Sequence, residues 1–180
     1  TSFWKEYETA VNKMLSDDRA IIESNNKLSD NEKKKYLNEY KKTELSFGVV
    51  LDESEHSKMV KNGTWRLSYK ATQAALLILL YRDQPILHNP YLLITKLADV
   101  DELFTTWRHR HVLMVSRMIG KKIGTGGSTG STYLSKTAQK HRIFSDLSDL
   151  TTFLIPRSAL PKLPSKIKDQ LNFYFHVGKD

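Results

Sequence analysis

The 180-residue sequence has no cysteine. That excludes a disulfide framework, a thiolate metal site and a cysteine nucleophile, and leaves histidine to carry any soft-ligand chemistry. Proline is sparse, at 5 residues, and Pro156, Pro161 and Pro164 all fall in the tail. Long apolar runs are missing too. The longest, Ala74 to Tyr81, is far short of the roughly 20 residues that a membrane-spanning helix needs. The opening Thr1-Ser2-Phe3-Trp4-Lys5 has neither a basic leader region nor an apolar one, so the expected compartment is the cytoplasm. Because the first residue is not methionine, a processed chain or one cut from something longer is expected. No alternating pattern is long enough to build a sheet, and no internal repeat is present.

What is there is a chain of one-domain size with 39% hydrophobic residues, enough for a core but low for a unit that stands alone. The net charge of +8 comes from 28 basic and 20 acidic residues, much of it in short mixed runs such as Lys33-Lys34-Lys35 and Lys41-Lys42. No aromatic-interleaved basic stripe accompanies these runs, so they read as solvated helix faces and not as a nucleic-acid footprint.

Helical periodicity dominates. Phe3, Tyr7, Val11, Met14 and Leu15 recur at three- and four-residue steps and predict an amphipathic helix to about Ser24. Ser29 and Glu32 have capping-box spacing and start a second helix whose apolar side would be Tyr36, Leu37, Tyr40 and Leu45. Asn62-Gly63 closes a segment, and Thr64 is a candidate cap for a helix running to Tyr81. Asn89-Pro90 predicts an N-cap followed by proline at the first position of a helix from Tyr91 to about Ile119. Gly120 to Gly130 holds five of the eight glycines and predicts a loop. Tyr133 to Gln139, Ile143 to Leu154 and Ile167 to Val177 read as further helices. The fold class is therefore all-α.

Chemistry concentrates after residue 100. Trp107-Arg108-His109-Arg110-His111 contains a His-x-His pair, which on a strand would put both imidazoles on one face. On a helix, at about 100° per residue, the two diverge. Val100, Leu103, Trp107, His111, Met114 and Met118 then share one apolar stripe, and His109 points the opposite way, to the surface. His111 is thus expected to be buried, either as a satisfied core histidine or as an iron ligand through one ring nitrogen. Arg108 and Arg110 could meet carboxylates of another helix or of a cofactor, or simply face solvent.

The glycine-rich stretch Gly124-Thr125-Gly126-Gly127-Ser128-Thr129-Gly130 fails as a dinucleotide loop, because Thr129 stands where a third glycine is needed and no strand precedes it. It also lacks the lysine of a P-loop. It reads either as a plain connection or as a hydrogen-bonding loop around a small polar group. In the second reading Thr125 supplies both donor and acceptor near its start.

Taken together, Trp107 to His111, Arg117-Met118-Ile119-Gly120, the stretch Gly124 to Gly130, Tyr133-Leu134 and Thr152-Phe153-Leu154-Ile155-Pro156-Arg157 closely resemble the C-terminal half of the tryptophan 2,3-dioxygenases. The agreement continues upstream through Arg66-Leu67-Ser68-Tyr69-Lys70-Ala71 and Tyr81-Arg82-Asp83-Gln84-Pro85, so it spans almost the whole chain. The resemblance implies a helical bundle forming one side of a haem pocket, with a glycine-rich substrate loop. It also implies a cytoplasmic homotetramer that uses haem b and O2 to convert L-tryptophan to N-formylkynurenine. His111 would be the proximal ligand of the haem iron, and Trp107 a neighbour of that histidine or of the haem edge. Thr125, with Gly124 and Gly126, would contact tryptophan. No catalytic acid or base is identified in this segment.

There are departures. Relatives often carry a second serine and then a bulky residue where this chain has Thr129 and Ser131. The distal histidine, the arginine that pairs with the substrate carboxylate and several haem-wall aromatics belong to an N-terminal half absent here. The chain is accordingly expected to be a single helical domain over residues 1–180, active only with an N-terminal fragment of the same enzyme. The alternatives are an inactive haem-binding or scaffold module and, from the charge alone, a nucleic-acid binder. Neither nucleic acid nor a membrane is the expected partner.

Overall fold

The computed structural model describes residues 3–119 and 143–163, and every regular element among them is helical. The α-helices are α1 (Phe3–Ser24), α2 (Asp30–Leu51), α3 (Glu53–Lys61), α4 (Tyr69–Leu80), α5 (His88–Ile119) and α6 (Ser145–Asp149). Short 3-10 turns cover Pro85–Leu87, Leu150–Phe153 and Arg157–Ala159. The all-α reading holds. The helices expected at Tyr133–Gln139 and Ile167–Val177, and the Gly120–Gly130 loop, lie outside the described residues. The chain divides into two compact units, one taking in the chain up to Asn89 and again from Leu150, the other running from Pro90 to Asp149.

In the first unit α1 and α2 form an antiparallel hairpin. Lys33 reaches the Glu23 carbonyl at 2.8 Å, the Tyr40 hydroxyl donates to Asp18, and Arg19 pairs with Glu44 at 3.0 Å. The expected capping box forms at Ser29. Its hydroxyl accepts from the Glu32 amide, and the Glu32 carboxylate accepts from the Ser29 amide at 2.9 Å. The Ser29 hydroxyl and amide, both donating to Glu32, hold its carboxyl below its ordinary range. The box is therefore complete at neutral pH and opens only as acid titrates through that lowered range.

The apolar side expected for α2 is corrected in part: Leu37 and Tyr40 are half-buried, Tyr36 and Leu45 are exposed, and Phe47 and Val50 are the buried residues. The first half of α2 is so polar that only its last turns can enter the core. Asp52 then breaks the helix. It ends α2 and caps α3, accepting the amides of Ser54 and Glu55 at 2.7 and 3.2 Å. A short acceptor at this position satisfies the free amides of a new first turn and so favours a restart over continuation. Gly63, at φ 71°, stops α3 in a Schellman arrangement, with its amide on the Val60 carbonyl and the Thr64 amide on Met59.

Thr64 is consequently used up in that stop, and Ser68 caps α4 by accepting from the Ala71 amide. Ahead of α5, the turn at Pro85–Leu87 brings the helix start forward to His88, so Pro90 falls in the first turn, where a missing N–H costs nothing. The single helix expected over Ile143–Leu154 splits into α6 and a 3-10 turn. Two adjacent β-branched residues, Thr151 and Thr152, weaken the α conformation there, and Pro156 forces Ile155 out of it.

The core of the first unit joins the stripe Phe3, Tyr7, Val11 and Leu15 of α1 to Phe47, Val50, Trp65, Leu76, Leu79, Leu150 and Phe153. The Tyr7 hydroxyl donates to the Phe153 carbonyl at 2.5 Å, and burial raises its pKa beyond the ordinary phenol range. The Phe153 ring meets Phe47 edge-on at 5.3 Å. Trp65 donates through its indole N–H to the Thr72 hydroxyl at 2.9 Å, so its one polar atom is satisfied in the core. His56 is only 1% exposed, with Nδ1 2.9 Å from the Val49 carbonyl and Nε2 2.8 Å from the Leu67 carbonyl. It therefore spans the end of α2 and the approach to α4.

Replacing His56 by Phe keeps a ring in the core but removes the ring N–H that donates to this pair of carbonyls, and is expected to destabilise the chain by about 1 to 3 kcal/mol. An unchanged urea midpoint would refute this role.

Candidate functional site

The candidate site lies on α5 in the second unit. This unit holds together through buried Ile94, Leu147, Asp101 and Asp146. Asp101 is the anchor: its carboxylate accepts the Ile143 amide at 2.8 Å, tying the returning chain to α5. Around the helix from Asp101 runs the stripe identified from periodicity. Because Val100, Leu103, Trp107, His111, Met114 and Met118 are all helical, they share one face as expected.

Their expected burial is not found. Trp107 is 60% exposed, Met118 is 76% exposed, and Val100, Leu103 and Met114 are exposed as well. His111 is half-buried. The physical reason is that the returning chain at Ile143 is tied to the Asp101 side of α5, and nothing in the described part of this unit covers the stripe. A contiguous exposed apolar face of this length marks a binding surface. Phe104, which the periodicity argument left out, completes it: with Val100, Leu103 and Trp107 it lines an open depression of about 380 Å³. Its spacing of four residues from Val100 was the signal available.

The two histidines separate as their spacing requires. His109 is exposed. The His111 ring stacks on Trp107, with centroids 5.4 Å apart and planes 12° from parallel. Among the described residues no hydrogen bond engages either His111 ring nitrogen. Arg108 places its guanidinium carbon 5.7 Å over the Phe104 ring, and its Nη1 is buried without an acceptor among the described residues. A guanidinium nitrogen shut away from water in this way is matched to an incoming carboxylate. Thr125, Gly124 and Gly126 lie outside the described residues.

Among the described residues, no group of three or more histidine and acidic side chains converges as a metal cage. No helix among them is long and apolar enough to cross a membrane.

Fold and site together define an all-helical protein in which an apolar helix face presents one histidine whose ring has no hydrogen bond among the described residues. A sequence profile of the tryptophan 2,3-dioxygenases matches residues 1–154. The chain belongs to the tryptophan 2,3-dioxygenase family.

It is 50% identical to the tryptophan 2,3-dioxygenase of Bdellovibrio bacteriovorus over 174 residues, which is 97% of this chain and 48% of that protein. It is 44% identical to that of Dictyostelium discoideum, covering 97% of this chain and 44% of the relative. It is 42% identical to that of Alteromonas mediterranea, covering 96% and 48%. The chain thus spans about half the length of the curated relatives it matches. The profile match also begins at residue 1, so the charged α1–α3 region, which carries none of the motifs quoted above, belongs to the family as well.

The two sides of α5 should respond oppositely to substitution. Asp101→Ala removes the acceptor of the Ile143 amide and is expected to cost about 1 to 3 kcal/mol. Leu103→Glu, on the open face, should stay within about 0.5 kcal/mol of the parent chain. Urea unfolding of both variants checks the contrast, and equal losses would mean that the Leu103 face is covered in solution.

Proposed function

We propose that this chain is the C-terminal portion of a haem-dependent tryptophan 2,3-dioxygenase, which adds both atoms of O2 to L-tryptophan to give N-formylkynurenine. The observation that carries the reading is the uncovered apolar face of α5 with His111 at its centre, in a chain of this family. The residues present fit a haem. The face is apolar enough for a porphyrin, His111 has a ring nitrogen to give, and the buried Nη1 of Arg108 suits a carboxylate of the group's periphery. Haem b, when bound, supplies the redox-active iron that O2 chemistry requires.

The chain's own residues would do the rest. His111 acts as the proximal ligand, its other ring N–H free to find an acceptor that fixes the tautomer. Leu103, Phe104, Met114 and Met118 keep water from the metal side of the pocket. Thr125 holds the amino-acid end of tryptophan with its hydroxyl, while Gly124 and Gly126 offer backbone amides that no Cβ obstructs. That grip positions the indole for reaction and contributes mainly through orientation. The remaining portion of the enzyme, which lies outside this chain, completes the pocket and covers the α5 face. The assembly is proposed to be a cytoplasmic homotetramer, a reading supported by the family resemblance. The whole chain then serves as one helical part of a larger catalytic domain.

The test pairs this chain with the rest of the enzyme and follows haem absorbance and N-formylkynurenine. His111→Ala should abolish haem retention, and full haem occupancy with an unchanged spectrum would sink the assignment. Thr125→Ala should retain haem and lower kcat/KM for tryptophan roughly ten- to a hundredfold, the scale of one hydrogen bond to a charged group. Unchanged kinetics would remove Thr125 from the site.

A further inference from the structure

Trp107 and His111 sit about one turn apart on α5, and their rings are offset-stacked, with centroids at 5.4 Å and planes 12° apart. This is the favoured geometry for two flat rings. Nothing polar among the described residues fixes the imidazole, and the outer torsion of a histidine side chain is broad. Without the indole, the ring would swing through a wide arc. Trp107 is also 60% exposed, so within this chain the imidazole is the ring it stacks on and no described core surrounds it.

We infer that Trp107 is a positioning residue that sets the plane of the His111 imidazole before a metal group binds. This rests on the reading of His111 as the haem ligand. An imidazole donates its lone pair within its own plane, so fixing the plane fixes the direction along which iron is held. Preorganising the ligand in this way reduces what must be ordered on binding. An aromatic pair of this kind biases ring orientation by roughly two- to twelvefold. Haem affinity should depend on it to the same degree.

Two variants and two readouts test the inference. Trp107→Leu removes the stack, and Trp107→Phe keeps an aromatic face. At so exposed a position neither should compromise folding. In this chain, the carbon-bound imidazole protons of His111 are identified by their loss in His111→Gln. They should move downfield in Trp107→Leu, as the indole ring current disappears, and return part of the way in Trp107→Phe.

In the complete ferrous enzyme, Trp107→Leu should weaken haem retention about two- to twelvefold. It should also shift or broaden the iron–histidine stretching band seen by resonance Raman, and Trp107→Phe should restore the band. Unmoved imidazole protons would overturn the inference by showing no stack in solution. Moved protons with an unchanged band would overturn it by showing that the stack does not orient the ligand. A band that persists in His111→Gln would instead refute the ligand assignment itself, an outcome separate from any result at Trp107.

Discussion

Both ring nitrogens of His56 lie within hydrogen-bond distance of backbone carbonyls, those of Val49 and Leu67, in a place almost closed to water, and the ring N–H donates to one of them. Much of the first unit depends on that bridge. It joins the last turn of α2 to the segment that leads into α4, with Trp65 and Tyr69 packed edge-on against the imidazole at 5.9 and 5.5 Å. Tyr69 in turn donates to the Leu51 carbonyl at 2.9 Å, so the same corner is tied twice. Because α2 through α4 turn at this corner, the packing of α2 on α1 and of α4 on α2 follows from it. Buried backbone carbonyls are costly to leave unpaired, which makes the bridge a constraint on topology beyond a local contact.

The second unit is organised by the opposite condition. There a buried carboxylate, Asp101, closes the chain against one side of α5, while the other side carries a row of large apolar side chains in water. Such an arrangement is poor for an isolated chain and sensible for part of a larger one. The composition agrees, with hydrophobic content on the low side and apolar residues spent on a surface that the chain itself does not cover. The chain spans about half the length of the curated relatives it matches. The same helix thus supplies stability on one face and a binding surface on the other.

How far the site could be read in advance depended on the kind of signal. The divergence of His109 and His111 follows from helical rotation alone, and the structure keeps it. Phe104 was missed because the stripe was drawn narrowly. The orphaned Nη1 of Arg108 had no sequence signal, since whether a guanidinium finds an acceptor depends on what surrounds it. Burial of the stripe was inferred from apolarity, and apolarity specifies only that a face is to be covered, without saying by what.

The sequence by itself determined the helical class, the capping box at Ser29, the stop at Gly63 and the face on which His111 sits. These are local effects, set by side-chain spacing and by backbone geometry within a turn or two. Tertiary structure alone decided that Asp52 would restart a helix, that Ser68 and not Thr64 would cap α4, and that His56 would bridge two carbonyls. It also decided that the His111 face would point outward with Trp107 stacked upon the ring. The His56 bridge depends on partners distant in sequence, the caps on competition among neighbouring acceptors, and the outward face and its stack on what surrounds α5 and on side-chain rotamers, none of which periodicity encodes.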